Sequence, residues 1–527
     1  MPTLPITKEN PPTAKLACVM VGLPARGKTY VARKVARYLA WLGHHSRIFN
    51  VGNYRRETVG AKQKHEFFDP KNPKFAKRRM EVAMTALEDM LNWFEHGCSS
   101  LDIPKPNGPQ SPSTHWPTTV NGKNAGGAGA GGAGWVGIYD ATNSTKERRK
   151  VIYDACVAKG IQVMFVESIC DKQDIILANV KEVKISSPDY VGWDPEKAVE
   201  DFMTRIAHYE SAYQCLGPEE CDGKIPYVKL INVGDQVIVN KVRGYLQSRI
   251  VYFLMNLNIT PRSFYFSRHG ESVYNLQGKI GGDSDISPRG EAFAKRLPGL
   301  IKDNLGVETR LTVWTSTLKR TRQTAAFMEW PQVQWKQLDE LDSGVCDGMT
   351  YEEIEVRFPN DYLERDEDKY NYRYHGGESY RDLVQRLEPI ILELERHHEP
   401  DHSIMIVGHQ AVLRAIYAYF LNYSLEELPY IKIPLHAVVK LTPKAYGCLE
   451  ERFTVDIPAV DTHRPKGAAS PTLAPLRKLP ETTDQRMSTS QLDGPAMVAH
   501  LPVFRSMSSL EADRTYASSP RPSTLEL

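Results

Sequence analysis

Through the first half of the chain, short apolar runs alternate with stretches whose apolar residues recur at helical spacing. Leu16–Val21 is apolar throughout and reads as a buried strand, and the segment from Lys28 to about Leu42 carries the helical period. Arg47–Val51 is a second predicted strand. A helix is predicted over Lys74–His96, where Val82, Met84, Leu87, Met90 and Leu91 mark one face. Val136–Tyr139 and Val163–Val166 are further strands, separated by the helical stretch Lys146–Lys159. Strands alternating with helices imply a parallel sheet covered on both faces. A second α/β unit opens at Ser263–Ser267, with strands at Leu311–Thr315 and Ser403–Val407 and a helix over Tyr380–Arg396.

The pattern lapses twice. Residues 98–134 carry five prolines between Pro104 and Pro117 and then the run Gly126–Gly134, a composition that builds no core and predicts a flexible surface insertion. After about Asp461 the chain turns rich in Pro, Ser, Thr and Arg, which predicts a disordered tail. The chain of 527 residues therefore divides into an N-terminal segment 1–15, a first domain 16–257 containing the insertion, a second domain 258–460, and a tail 461–527. Within the tail, Arg505-Ser-Met-Ser508 has the form of a phosphorylation site.

Charge adds mainly exclusions. With 66 basic and 64 acidic side chains, the net charge of +2 gives no general attraction to nucleic acid or an anionic membrane, so phosphate-binding cations must be clustered locally. No run of 18 apolar residues suggests a membrane span, and the first residues lack a signal-peptide pattern. The eight cysteines are scattered without a CxxC pair, which fits reduced thiols in a cytoplasmic protein and leaves a nuclear or plastid address open.

Two constellations carry chemistry. Gly22-Leu23-Pro24-Ala25-Arg26-Gly27-Lys28-Thr29 matches G-x-x-x-x-G-K-[ST] at every fixed position, between a strand and a helix. Glycines there let backbone N–H groups approach nucleotide phosphates, Lys28 supplies charge to the β- and γ-phosphates, and Thr29 offers a hydroxyl to Mg²⁺. Asp140, ending a later strand, is the natural second metal-side group; a helix N-cap or turn aspartate is the other reading of it. Arg55-Arg56, Lys77-Arg78-Arg79, Arg148-Arg149 and Lys184 are candidates to clamp a phosphorylated acceptor.

The second constellation is Arg268-His269-Gly270 after a strand, with Asn275 close behind, Arg320 after the next strand and His409 after a third. Open α/β sheets bind ligands at such strand ends. A neutral imidazole there can attack phosphorus, Arg268 and Arg320 can hold the phosphoryl oxygens, and His409 adds a positive or hydrogen-bonding group. The leaving oxygen needs a proton, for which Glu340, beside Asp339 and Asp342, is the candidate acid.

With both sites in this order, the chain resembles the bifunctional 6-phosphofructo-2-kinase/fructose-2,6-bisphosphatase family. The likeness is carried by Gly22–Tyr30, Asn50–Glu57, Asp140–Asn143, Glu182–Tyr190, Arg268–Gly270, Asn275–Gly278, Gly281–Asp283 and Gly408–Arg414. The resemblance implies a P-loop kinase domain followed by a histidine phosphatase, phosphoglycerate mutase-like α/β domain. It implies synthesis of fructose 2,6-bisphosphate from fructose 6-phosphate and ATP with Mg²⁺, its hydrolysis through a phosphohistidine, and a homodimer; the runner-up has one domain active and the other retained for regulation. By the same resemblance Tyr30, Asn179, Val180, Lys181, Glu182, Val183 and Lys184 line the nucleotide, and Asp140, Cys170 and Lys184 take catalytic positions. The likeness puts Arg55, Arg79, Thr142, Arg148, Lys184, Arg205 and Tyr209 on fructose 6-phosphate. It also implies that Arg268, Asn275, Gly281, Tyr351, Arg365, Lys369, Tyr380, Gln410 and Arg414 hold the bisphosphate. Cys170 reads equally well as core packing.

Overall fold

The computed structural model describes residues 14–97, 134–181, 187–258, 262–304, 310–397, 399, 402–444 and 447–466. The expected insertion, apart from Gly134, and Glu182, Val183 and Lys184 lie outside the described residues, as does Arg505–Ser508.

Two six-stranded sheets organise the chain. The first contains β1 (Lys15–Val21), β2 (His45–Asn50), β3 (Trp135–Asp140), β4 (Gln162–Ile169), β5 (Tyr227–Ile231) and β6 (Gln236–Asn240), in the order β2-β3-β1-β4-β5-β6. All its pairings are parallel except that of β6, which returns antiparallel to β5. β1 is central, and its alternating side chains serve both faces. Leu16, Cys18 and Met20 pack with Val31, Val35 and Tyr38 of the helix Lys28–Trp41. Ala17, Val19 and Val21 pack with Leu87, Met90 and Phe94 of the helix Pro73–His96. β2 stops one residue before its predicted end. The Asn50 side chain accepts the Asn53 N–H at 3.1 Å, and Val51 opens the helix Val51–Val59.

The second sheet contains β7 (Phe264–Arg268), β8 (Arg310–Thr315), β9 (Gln332–Gln334), β10 (His402–Gly408), β11 (Ala437–Lys444) and β12 (Gly447–Thr454), in the order β12-β11-β7-β10-β8-β9. β7, β10, β8 and β9 are parallel; β11 and β12 form an antiparallel hairpin on the β7 edge. Each expected parallel sheet is thus mixed, closed by antiparallel strands at one edge. Because β10 inserts between β7 and β8, Gly408 pairs with Arg268 and Val407 with Thr315, so three carboxyl ends lie side by side.

The two halves share a core. Val31, Tyr38 and Trp41 belong to the same apolar cluster as Leu387, Ile391, Tyr417 and Phe420. The buried Glu395 in the helix Tyr380–Arg396 accepts from Lys34 at 2.7 and 2.8 Å, Arg37 at 3.2 Å, Arg262 at 3.1 Å and Tyr419 at 2.6 Å. The start of the expected tail also belongs to the folded body: Asp461–Lys466 lies against the second half. The chain after Lys466 lies outside the described residues.

Candidate active sites

The loop after β1 is shaped by its backbone. Gly22 has φ 136°, and a Cβ there would come within 2.4 Å of the Ser168 carbonyl oxygen, so only glycine fits. Ala25, at φ 58°, takes the left-handed region without being glycine, held by Asn179 Nδ2 donating to its carbonyl at 3.2 Å. Ser168 Oγ donates to the Arg26 carbonyl, Lys28 Nζ donates to the Leu23 carbonyl, and the Arg26 guanidinium reaches the Pro24 carbonyl and Glu210, each at 3.2 Å. Gly27 and Thr29 flank Lys28 at the start of the helix Lys28–Trp41. Tyr30, two residues into that helix, turns to the seam: its hydroxyl donates to the Asn258 carbonyl at 3.4 Å and Lys34 sits over its ring.

Asp140 is buried at the end of β3, and Asn50 Nδ2 donates to its carboxylate. It caps no helix, since Thr145 caps Lys146–Ala158. The Thr142 carbonyl accepts the Gly22 N–H at 3.0 Å, tying this strand end to the glycine loop. Cys170 and Val180 pack in one apolar cluster with Ala25 and Tyr190, while Lys181 is exposed.

Arg55, Arg56, Arg79, Arg148 and Arg205 converge, whereas Arg149 is paired with Glu220 at 2.6 Å and Arg78 with Glu81 at 2.9 Å. Arg55 makes two 2.7 Å bonds to Asp189, with Arg56 at 3.4 Å and Arg205 at 3.7 Å from the same carboxylate. These hydrogen bonds and charges hold Asp189 below the usual carboxylate range despite its burial. Arg205 stacks 3.4 Å over the Phe68 ring, and Tyr209 faces the same ring at 6.0 Å. Arg79 donates to the Phe67 carbonyl, and burial together with the neighbouring Arg148 lowers its proton affinity. The Nε atoms of Arg148 and Arg205 are buried without a hydrogen-bond partner. Arg55, Arg56 and Arg205 thus share the single carboxylate of Asp189, with Arg79 and Arg148 nearby, and this excess of cations suits an anion. Asp189 and Phe68 had no assigned role from sequence; Asp189 lies within the Glu182–Tyr190 motif, but its ion pair spans 134 positions.

In the second half, the three strand ends deliver the predicted set. His269 N–H donates to the Gly408 carbonyl at 2.9 Å, and its Nδ1 donates to the Gly270 carbonyl at 2.8 Å, leaving Nε2 with a lone pair. The ring lies 5.3 Å from that of His409. Burial, then Arg320, holds both imidazoles far below the ordinary histidine range, with Arg268 adding to the effect. The fold thus favours the neutral, hydrogen-bonding form of His409. Its Nε2 shares a 2.8 Å bond with Ser316 Oγ, and its Nδ1 is buried without a partner.

Arg268 donates to the Ile433 carbonyl at 3.0 Å and to Thr462 Oγ1 at 2.9 Å, and Arg320 to the Gly282 carbonyl at 2.6 Å. Of the three acids in this stretch, Asp339 is bound to Thr317 at 2.8 Å and Asp342 to the Gly344 N–H at 2.8 Å. Glu340 instead accepts the Leu341 N–H at 2.9 Å and the Ala411 N–H at 3.2 Å, beside His409 and within the field of Arg268 and Arg320. Asn275 closes a capping box with Ser272. Gly281, at φ 67°, touches Asp347 so closely that a Cβ would lie 1.8 Å from its Oδ1.

Further along, Arg365 donates to the Tyr374 hydroxyl at 2.8 Å and the Tyr351 hydroxyl at 3.1 Å, and Arg414 donates to the Tyr380 hydroxyl at 3.0 Å. Lys369 sits 4.7 Å over the Tyr430 ring, pulled down to about 6 by burial and by Arg365 and Arg414. Gln410 Oε1 accepts from Thr462 at 3.1 Å. Sequence reasoning missed Thr462 because it stands inside a Pro- and Thr-rich stretch.

A nucleotide-type glycine loop on one sheet and a paired-histidine, paired-arginine site on another define a kinase joined to a histidine phosphatase. Family models agree: 6-phosphofructo-2-kinase matches residues 6–103 and 130–261, and the histidine phosphatase superfamily (branch 1) matches 264–456. A fructose-2,6-bisphosphatase of Saccharomyces cerevisiae is 46% identical over 88% of this chain and 94% of its own. A 6-phosphofructo-2-kinase/fructose-2,6-bisphosphatase of Aquarana catesbeiana is 46% identical over 85% and 86%, and the human form 4 is 47% identical over the same shares. This chain belongs to the 6-phosphofructo-2-kinase/fructose-2,6-bisphosphatase family.

Proposed function

We propose that the chain makes and breaks one ester bond: its first half transfers the γ-phosphoryl of ATP to the 2-hydroxyl of fructose 6-phosphate, and its second half hydrolyses the product. The observation that carries the reading is the pair of cation-rich pockets, one where Arg55, Arg56 and Arg205 share Asp189 beside Arg79 and Arg148, and one where Arg268 and Arg320 flank His269. In the first, the Gly22–Thr29 backbone and Lys28 take the nucleotide phosphates, while the arginines, Thr142 and Tyr209 orient the sugar phosphate. Thr29, at the start of the helix after the glycine loop, and the buried carboxylate of Asp140 are the oxygen donors that would hold a magnesium ion. Such an ion would supply charge neutralisation to the transferring phosphoryl group. Lys184 is assigned to the same phosphoryl group.

In the second half, His269 Nε2 attacks the 2-phosphoryl group. An N–P bond forms as the P–O2 bond breaks, and Glu340 gives its proton to the departing sugar oxygen. Arg268, Arg320, Asn275 and His409 hold the phosphoryl oxygens. Water then attacks the phosphohistidine, Glu340 takes up its proton, and phosphate leaves. Reduced thiols at all seven described cysteines fit a cytoplasmic setting, and the family resemblance suggests a homodimer, testable by sedimentation.

The test is Lys28→Ala. Synthesis falls at least about a hundredfold while hydrolysis of fructose 2,6-bisphosphate persists; loss of both together overturns the two-site reading. Substrate labelled at the 2-phosphate also labels His269 in an acid-free quench, and an unlabelled protein refutes covalent catalysis. The name of the Saccharomyces cerevisiae relative favours a second reading, in which only the phosphatase runs. Absence of synthesis by the wild-type chain with ATP, magnesium and fructose 6-phosphate would establish that reading instead.

A further inference from the structure

The stretch Asp461–Lys466 lies against residues of the second site, and none of the roles assigned above uses it. It is tied down from both sides. The Val460 N–H donates at 2.9 Å to Glu271, the residue after Gly270, and Lys432 reaches Asp461 at 2.8 Å. Thr462 then bridges two residues of the site, accepting from Arg268 at 2.9 Å and donating to Gln410 at 3.1 Å. Arg464 lies flat over the Tyr351 ring at 4.2 Å and donates to the Tyr362 hydroxyl at 3.1 Å.

The chemistry of the substrate gives these contacts a use. Fructose 2,6-bisphosphate carries two phosphates, and the His269 pocket takes one. The second needs its own cations at a distance set by the sugar. Arg365, Lys369 and Arg414 form such a group, ringed by the hydroxyls of Tyr351, Tyr374 and Tyr380. Arg464 lies within the field that Lys369 feels, and His463 Nδ1 is buried without a hydrogen-bond partner.

We propose that Asp461–Arg464 is a wall of the phosphatase substrate site, in which Arg464 is a specificity-determining cation for the sugar 6-phosphate and Thr462 is a positioning residue for Arg268. This rests on the reading of His269 as the nucleophile for the 2-phosphate. Thr462 fixes the guanidinium that meets the reacting phosphoryl group, and Arg464 selects substrates bearing the distant phosphate. One short segment thereby serves both ends of the substrate.

The experiment compares fructose 2,6-bisphosphate with fructose 2-phosphate, which lacks the distant phosphate, on full-length wild type, Arg464→Ala, Arg464→Lys, Thr462→Val and Thr462→Ser. Arg464→Ala lowers kcat/KM for the bisphosphate about ten- to a hundredfold, chiefly through KM, and changes turnover of fructose 2-phosphate far less. Arg464→Lys recovers part of the preference. Thr462→Val lowers kcat on both substrates, and Thr462→Ser restores it, which a merely structural loss does not reproduce. An unchanged preference in Arg464→Ala, or faster hydrolysis from a segment that only blocks the site, overturns the proposal. Failure of wild type to form labelled His269 would instead overturn the underlying reading.

Discussion

The carboxylate at the seam between the two halves gives a worked prediction. Glu395 is fully buried and faces Lys34, Arg37 and Arg262 together with the Tyr419 hydroxyl. The attraction of those cations outweighs its burial and holds it at about 2, against 4.5 for an ordinary glutamate. That gap corresponds to about 3 kcal/mol of stability. Burial pulls Lys34 the other way, to about 7, so the network as a whole gains little over an apolar seam. Removing only the carboxylate is different, because Arg37 and Arg262 are then buried without a counter-charge and Lys34 must give up its proton. Glu395→Gln is expected to destabilise the protein by about 3–5 kcal/mol at neutral pH, read as a drop of several degrees in Tm or an earlier urea midpoint. The sign with pH follows from a depressed folded pKa: the Glu395 contribution is whole above about 4.5 and fades as pH falls toward about 2. The gap between wild type and Glu395→Gln therefore narrows over that window. A loss under about 1 kcal/mol, or a gap that stays constant through the acid range, refutes the reasoning.

Other consequences are sharper in activity than in stability. Because His269 is held far below the ordinary histidine range, its nucleophilic form persists as pH falls through 6.5; the acid limb of kcat/KM for hydrolysis lies well below that pH, and an inflection at 6.5 contradicts the assignment. Gly281→Ala forces a Cβ to 1.8 Å from Asp347 in left-handed backbone, and is expected to raise KM for hydrolysis about tenfold or more in steady-state assays. Asp189→Asn releases Arg55, Arg56 and Arg205 from their shared carboxylate, so KM for fructose 6-phosphate in synthesis rises about tenfold while hydrolysis is spared; an unchanged KM removes Asp189 from the site.

Strand ends carrying functional residues were legible because each lies beside an apolar run that marks it: Leu16–Val21 before Gly22, Phe264–Phe266 before Arg268, and Ile404–Val407 before His409. Interactions across the fold left no such mark. Asp189 meets Arg55 across 134 positions, Thr462 meets Arg268 across 194, and Glu395 meets Lys34 across 361. A charge pair has no periodicity, so neither partner differs in sequence from a solvated surface residue. The protonation state of His409 was hidden for a related reason: a strand-end histidine is neutral or charged according to burial and to Arg320, both supplied by the tertiary fold. Tyr30 shows the converse limit. Its place after the glycine loop suggests the nucleotide, but helical phase turns it toward Asn258.

The architecture also explains why one chain can hold two opposed sites without merging them. The glycine loop sits at the N-terminus of the helix Lys28–Trp41, and His409 immediately precedes the helix Gln410–Leu421. Their N-termini favour anions, so each site uses the same electrostatic device on a separate sheet. The helices meet away from those ends: Trp41 Nε1 donates to the Ala415 carbonyl at 2.9 Å, and Arg37 donates to the Phe420 carbonyl at 3.5 Å. Both helix bodies are sealed against one apolar cluster. An anion bound at one terminus is therefore separated from the other site by a packed seam of side chains, and the two sites stay distinct on a shared core.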